Sequence, residues 1–293
     1  MSDTPLLTQV AAARALPTPE RIAFCMADRW VGYTLAHDVL QLLEDTFAQP
    51  RSLRMRNLLI VGRSGNGKSS VLERFINAHP ILKSDEGAPI APIVPILMPA
   101  SPDESELWST ILWALGISHR EKDPARIKKN EVKGILQYVG CRLLVIDEFN
   151  HLVNAGKQAG ELLSSIKELS NALNISIVAA GTEAAINAVG SDLQMRKRFD
   201  AVVLRPWSAN AEYKRFLLSY TALLPLARPS EFTGDLVRTM FAMTGATLGD
   251  TVNLLKAAAV HAIRTGAERI DPEVLEGLNW RAKQDWDAIR AQA

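Results

Sequence analysis

From Asn57 onward, short apolar runs alternate with segments whose apolar residues recur every three or four positions. The runs are Leu58–Val61, Ile93–Met98, Leu143–Ile146, Ile175–Ala180 and Ala201–Leu204. Such runs predict buried strands and the segments between them predict helices. The alternation implies crossover units that build a parallel five-stranded sheet with helices on both faces, an α/β fold. One helix is announced by Ser101-Pro102-Asp103-Glu104, which supplies an N-cap, a proline at the first helical position and a capping-box acid. Another, about Glu161–Leu173, gathers Leu162, Leu163, Ile166, Leu169 and Leu173 on one face.

The two ends follow different patterns. Residues 1–17 read as a flexible tail closed by Pro17, after which Thr18-Pro19-Glu20 reads as a helix start with a hydroxyl N-cap. A second helix, about Leu35–Phe47, carries Leu35, Val39, Leu42 and Leu43 at helical spacing. After Pro206 no run is strand-like. Glu212–Leu224, Gly234–Met243 and Leu248–Thr265 are helical by period, and Asp271-Pro272-Glu273 opens one more helix. The expected organisation is a tail (1–17), an α/β domain that includes the N-terminal helices (18–205) and a small all-helical domain (206–293).

Composition changes this picture little. The chain is 47% hydrophobic and 22% charged with a net charge of +1, so any nucleic-acid surface has to be a local patch. Cys25 and Cys141 lie far apart, which excludes a disulfide scaffold and fits a reducing cytoplasm. Met1–Ala15 shows no basic stretch followed by a long apolar one, so no signal peptide is expected. No run approaches the roughly 18–20 apolar residues a bilayer requires, and no membrane partner is expected. The five histidines show no ligand spacing, so no catalytic metal beyond Mg²⁺ is expected.

The chemistry is concentrated after two of the strands. Gly62-Arg63-Ser64-Gly65-Asn66-Gly67-Lys68-Ser69 satisfies G-x-x-x-x-G-K-[ST] between a strand and a helix. The glycines let consecutive backbone N–H groups converge on phosphate oxygens at the positive end of the following helix. Gly62, Ser64, Gly65, Asn66, Gly67, Lys68, Ser69 and Ser70 form the expected ATP-binding segment. Lys68 is suited to the β/γ-phosphates and the Ser69 hydroxyl to Mg²⁺.

Leu143–Ile146 runs into Asp147-Glu148. Asp147 is suited to the Mg²⁺ shell, and Glu148, one residue on, to polarising the attacking water. The strand Ile93–Met98 falls between the two motifs and leaves room for the extra central strand of the P-loop division that carries such a glutamate. Thr182, at the end of the next strand, can touch the γ-phosphate or cap the following helix. Gln194-Met195-Arg196-Lys197-Arg198-Phe199 precedes the fifth strand. Its cations are either a solvated face or the source of an arginine finger for a neighbouring subunit, with Arg198 favoured over Arg196.

These motifs together resemble those of AAA+ ATPases, and within that class the TniB/TnsC transposition proteins, related to MuB. The resemblance is carried by Arg29-Trp30-Val31-Gly32-Tyr33, Arg56–Gly62, Asn66-Gly67-Lys68-Ser69, Ile146-Asp147-Glu148-Phe149-Asn150, Gly181-Thr182-Glu183-Ala184 and Asp192-x-Gln194-x-x-x-Arg198-Phe199. It implies a P-loop AAA+ fold with a helical lid. It also implies an ATP-dependent regulator that assembles on double-stranded DNA as a ring or helical filament of like subunits. Such a regulator recruits a DDE transposase (TniA/TnsB-like) and a TniQ-like target selector. By the same resemblance Val31 and Gly32 border the adenine; as plain sequence they read equally well as a buried helix–loop junction. The lid sequence Gly245–Thr251 lacks the arginine that AAA+ lids often supply there. Arg120, Lys128 and Lys129 belong to a charge run that is either a DNA contact or a solvated face. Trp108, Trp113, Trp280 and Trp286 are expected in the core or at interfaces. An AAA+ replication initiator or helicase loader and an ATP-driven signalling switch without DNA stand as alternatives.

Overall fold

The computed structural model describes residues 4–190 and 193–280. It divides into two compact units, Thr34–Arg205 and Met1–Tyr33 together with Pro206–Ala293. In chain order the elements up to the sheet's last strand are α1 (Thr4–Ala13), α2 (Thr18–Met26), α3 (Thr34–Ala48), β1 (Asn57–Gly62), α4 (Lys68–Ala78), β2 (Leu82–Lys83), β3 (Pro89–Ile90), β4 (Ile93–Leu97), α5 (Glu104–Ala114), α6 (Ala125–Tyr138), β5 (Leu143–Asp147), a 3₁₀ segment (Phe149–Gln158), α7 (Ala159–Leu173), β6 (Ser176–Gly181), α8 (Glu183–Gly190), α9 (Leu193–Arg196) and β7 (Phe199–Leu204). Helices α10 (Ala211–Thr221), α11 (Gly234–Thr244), α12 (Leu248–Thr265) and α13 (Pro272–Glu276) follow.

Within the α/β unit, five parallel strands pair in the order β4-β5-β6-β1-β7, while β2 and β3 form a separate antiparallel hairpin. Every residue of β1 and β6 is buried, which explains why their sequences are continuous apolar runs rather than alternating ones. The edge strands are mixed. Pro95 is exposed in β4, where a residue without a backbone N–H is tolerated, and most of β7 is at least partly open. The sheet order corrects one expectation. The strand at Ile93–Leu97 intervenes in sequence but lies at the edge. After β1 the chain crosses to the far edge and then fills inward, so β6 is the strand that separates β1 from β5.

Leu59 and Val61 of β1 enter a core with Trp108, Ile111 and Leu112 of α5, Val132 and Leu136 of α6, and Leu162, Ile166 and Leu169 of α7. Leu58 and Ile60 are buried as well, and α3 and α4 pack against β1. The capping acid of α5 is Asp103, which accepts from Glu106 N, so the cap falls two residues later than Ser101.

The helical unit has its own core, built from Tyr213, Phe216, Leu217 and Tyr220 of α10, Leu236 and Met240 of α11, Leu254, Leu255, Ala258, Ala259 and Ala262 of α12, and Cys25 of α2. Asn210, Thr233, Thr247 and Asp271 each cap a helix by accepting from a backbone N–H. The N-terminal segment differs from expectation. Residues 4–13 form a helix with Val10 and Ala13 buried, in place of a tail, and α2 starts at Thr18 without a side-chain cap. Helix α2 also belongs to the helical unit. Arg21 forks onto Glu268 (2.9 and 2.5 Å) and donates to Pro225 O, and the buried Lys256 ammonium donates to Asp28 (2.6 Å) and Met26 O. These pairs join residues more than two hundred positions apart, a distance at which local sequence pattern carries no signal. Cys25 and Cys141 are free and buried, and burial pushes their thiols up to about 11 and about 12. Trp108 is wholly buried, Trp113 is 55% exposed, and Trp280 donates to Met243 O; Trp286 and Asp192 lie outside the described residues. Among the described residues no helix is long and apolar enough to cross a membrane.

The Arg21–Glu268 pair gives a testable consequence. Its hydrogen bonds hold the Glu268 carboxyl below the usual range, assisted by Ala227 N and opposed by burial. The pair therefore stabilises the fold above the ordinary glutamate range, and that contribution is lost as pH falls through the lowered folded value. Glu268→Gln is expected to cost about 1.5–3 kcal/mol at neutral pH, the usual worth of a charge-assisted hydrogen bond. Urea unfolding should show the gap to wild type closing at acidic pH. A gap that does not change with pH would contradict this role.

Candidate functional site

The segment between β1 and α4 turns through Gly65 and Gly67, whose backbones are left-handed (φ +76° and +85°), a conformation glycine adopts without steric cost. Gly62 lies so close to β7 that a Cβ there would sit 3.1 Å from the Leu204 carbonyl. Asn66 is buried and donates from Nδ2 to Leu204 O (3.2 Å), which ties the loop to the end of β7. Ser64, Gly65, Ser69 and Ser70 remain exposed. Lys68 begins α4 and is buried, its ammonium donating to Gly62 O (3.0 Å) and Arg63 O (3.2 Å). Burial lowers the Lys68 pKa, and the charges of Glu148 and Asp147 oppose that shift. A compact cation with two weak carbonyl partners and two carboxylates near it is ready to exchange those carbonyls for a polyanion.

Opposite the loop, β5 delivers Asp147. Its Oδ2 accepts from the Ser69 hydroxyl at 2.6 Å and its Oδ1 from the Glu148 backbone N–H at 2.8 Å. Ser69 and Asp147 are 78 positions apart in sequence. A hydroxyl and a carboxylate converging at the carboxyl ends of parallel strands form a hard oxygen donor set of the kind that suits Mg²⁺. Glu148 leaves the strand with left-handed backbone (φ +52°), a conformation that costs a non-glycine residue about 1–2 kcal/mol. Glu148 stands just past the end of β5. There Glu148 Oε2 accepts from Asn150 Nδ2 (3.1 Å), and Asn150 Oδ1 accepts from the backbone N–H of Thr182 (3.0 Å).

Gly62, Lys68, Ser69, Asp147, Glu148 and Thr182 therefore gather at the carboxyl ends of β1, β5 and β6, where ligands of open α/β sheets bind. Thr182 is partly buried, and its carbonyl accepts from Ala185 N at the start of α8. Asn150 belongs to the same cluster. The sequence displayed it within the Asp-Glu motif but assigned it no role, because its partner Thr182 lies on another strand.

Arg198 is elsewhere. It immediately precedes Phe199, which pairs with Asn57 at the amino end of β1, and its carbonyl accepts from Asn57 N. The five steps from Asn57 to Gly62 at ~3.3 Å each put the two ends of β1 about 16 Å apart. The Arg198 guanidinium donates to Asn171 Oδ1 (2.5 Å), on the side of the sheet away from its own loop. Phe199 packs against the core, and Arg196 is exposed at the end of α9. In the helical unit, Val31 packs at the margin of the core and Gly32 beside it is half-buried. Gly245–Thr247 connect α11 to α12, Thr247 caps α12, and Leu248–Thr251 form its first turn.

The basic run is corrected in part. Lys128 is buried, its ammonium donating to Ser105 Oγ (2.8 Å) and Glu121 O (2.7 Å), so it is not presented to a phosphate. Lys129 donates to Glu168 (2.6 Å), lies 3.5 Å from Glu104 and sits over the Trp108 ring. Helix α6 turns both lysines inward, which a charge count along the sequence does not reveal. Arg120, in the preceding loop, is exposed.

Comparisons with known proteins fit this geometry. The profile of the family described as bacterial TniB protein matches residues 21–209. No curated protein matches the chain in sequence. Among solved structures, the ORC1 protein of Aeropyrum pernix in complex with DNA aligns with a TM-score of 0.61 at 17% identity, covering 87% of this chain and 67% of that one. The ORC2 protein of the same organism, in ADPNP-ADP complexes, aligns at 0.59 and 14% identity, covering 88% and 70%. The RuvB Holliday junction branch migration motor of Thermotoga maritima aligns at 0.52 and 17% identity, covering 86% and 71%. At these identities the likeness is one of fold, and the fold is the P-loop AAA+ fold.

The inward setting of Lys128 is directly testable. Lys128→Ala is expected to lower stability by about 1–3 kcal/mol, since it leaves polar partners unmet. The salt dependence of any DNA binding should stay at its wild-type slope. A flattened slope in a variant of wild-type thermal stability would restore Lys128 to the DNA surface.

Proposed function

This chain belongs to the bacterial TniB protein family, and from that premise we propose that it is an ATP-hydrolysing regulator of DNA transposition that assembles on duplex DNA. The observation that carries the reading is the meeting of Lys68, Ser69, Asp147 and Glu148 at one end of the sheet, with Ser69 Oγ 2.6 Å from Asp147. Lys68 and the backbone N–H groups of residues 64–70 hold the triphosphate. Ser69 and Asp147 hold Mg²⁺, which supplies charge neutralisation when bound. Glu148 polarises the water that attacks the γ-phosphorus and takes up its proton, while the bond to the bridging oxygen breaks and ADP leaves. Thr182 senses the γ-phosphate. The protein works in the cytoplasm.

Arg198 serves in trans. Its position at the end of the sheet opposite its own phosphate loop supports a role in a neighbouring subunit's site. Subunits therefore form a ring or a helical filament on DNA. That assembly is the platform for a DDE transposase and a TniQ-like target selector, and Arg120 is available to phosphates. Fold likeness to the ORC proteins supports the rival reading of a replication initiator or loader; TniB membership favours transposition. DNA-stimulated turnover separates both from a signalling switch that never meets DNA.

The test mixes two variants. Glu148→Gln keeps the shape but removes the base, and Arg198→Ala removes the finger, which elsewhere is worth on the order of 10³-fold or more in turnover. Each alone is expected to bind ATP and to hydrolyse it poorly. Mixed on DNA, they form interfaces where an intact Glu148 meets an intact Arg198, and activity should return. A co-assembled mixture as inactive as its components would remove Arg198 from the role and make Arg196 the residue to test.

A further inference from the structure

The amide of Asn150 spans two strands that the proposed chemistry needs to coordinate. Its Oδ1 accepts from the N–H of Thr182 at the end of β6, and its Nδ2 donates to Glu148 Oε2 beyond the end of β5. Only one orientation of the amide satisfies both partners. A backbone N–H can only donate and a carboxylate can only accept, so the oxygen must face Thr182 and the nitrogen must face Glu148.

The neighbourhood is shaped to keep this bridge. Gly181 is not among the residues with positive φ, so its backbone conformation does not call for glycine. The space around it does. A Cβ at 181 would lie 2.8 Å from Asn150 Oδ1, 3.0 Å from Asn150 N and 2.9 Å from the Ala185 Cβ. The bare position lets β6 approach the amide. The backbone at 150 is fixed on either side, with Phe149 wholly buried and His151 Nδ1 within 3.0 Å of Met98 O at the end of β4. The backbone of Glu148 itself is left-handed, with φ +52°.

We propose that Asn150 is a positioning residue for ATP hydrolysis, holding the Glu148 carboxylate through one oxygen and coupling it to the Thr182 segment of β6. Glu148 keeps its second oxygen for the water. A shift of β6 at Thr182 is passed through a rigid planar amide to the base, so contact with the γ-phosphate and activation of water are set together. The proposal rests on Glu148 being the base.

Asparagine to aspartate is the informative substitution. Asn150→Asp keeps the acceptor for Thr182 N–H and the shape of the side chain, but turns a donor toward Glu148 into a repelling oxygen. It is expected to keep wild-type thermal stability and ATP affinity while kcat falls by about 10- to 100-fold, a part of the ~10²–10⁴ a general base contributes. The KM for ATP should change little. In the Glu148→Gln background, the same change should slow the residual single-turnover rate no further, because the two residues act as one unit. Wild-type kcat in Asn150→Asp, or a loss of ATP affinity equal to the loss of kcat, would overturn the proposal. So would multiplicative losses in the double variant. If Glu148→Gln itself turns over normally, the base assignment fails first; a dead Glu148→Gln beside a normal Asn150→Asp removes only the bridge.

Discussion

Parallel pairing of β1, β6 and β5 is the constraint on which the rest depends. With all strands running the same way, their carboxyl ends share one edge, and whatever follows each strand is delivered there. Insertion of β6 between β1 and β5 sets the spacing that lets Ser69 reach Asp147 at 2.6 Å. The same insertion puts Thr182 within reach of Asn150, and through it of Glu148. Continuous burial of β1 and β6 holds this arrangement, since a register slip would place polar chain ends inside an apolar layer.

The same parallelism sets Arg198 apart from its own phosphate loop. β7 begins where β1 begins, so an arginine just before β7 is as far from its own phosphate loop as the strand is long. The other end of β7 is not remote. Leu204 O accepts from the buried Asn66 amide, and Gly62 packs against Leu204 without a side chain of its own. The strand that carries Arg198 at its start is thus fastened to the phosphate loop at its finish.

What the sequence made legible is what local chemistry determines. The phosphate loop shows because Gly65 and Gly67 must adopt left-handed backbone, and the central strands show because burial on both faces leaves unbroken apolar runs. What stayed hidden depends on contacts distant in sequence. Helix α2 belongs with the helical unit through Arg21–Glu268 and Lys256–Asp28, and α1 is helical with Val10 buried where the residue pattern suggests a tail. Lys128 counts as surface charge until α6 turns it onto Ser105. Asn150 is an ordinary polar residue until β6 arrives beside it.

The cluster at the carboxyl ends of β1 and β5 centres on Lys68, the group proposed to hold the nucleotide. The ammonium is buried against two carbonyls and near two carboxylates, an arrangement that costs desolvation without a strong partner in return. Titration calorimetry of ATP with Mg²⁺ into wild-type protein and into folded Lys68→Ala tests it directly. Wild type should bind one ATP per chain, and the variant should lose roughly tenfold or more in affinity, about the worth of one charge-assisted contact to phosphate. Equal affinity in the two proteins, with the variant shown to be folded, would rule out a nucleotide site at Lys68.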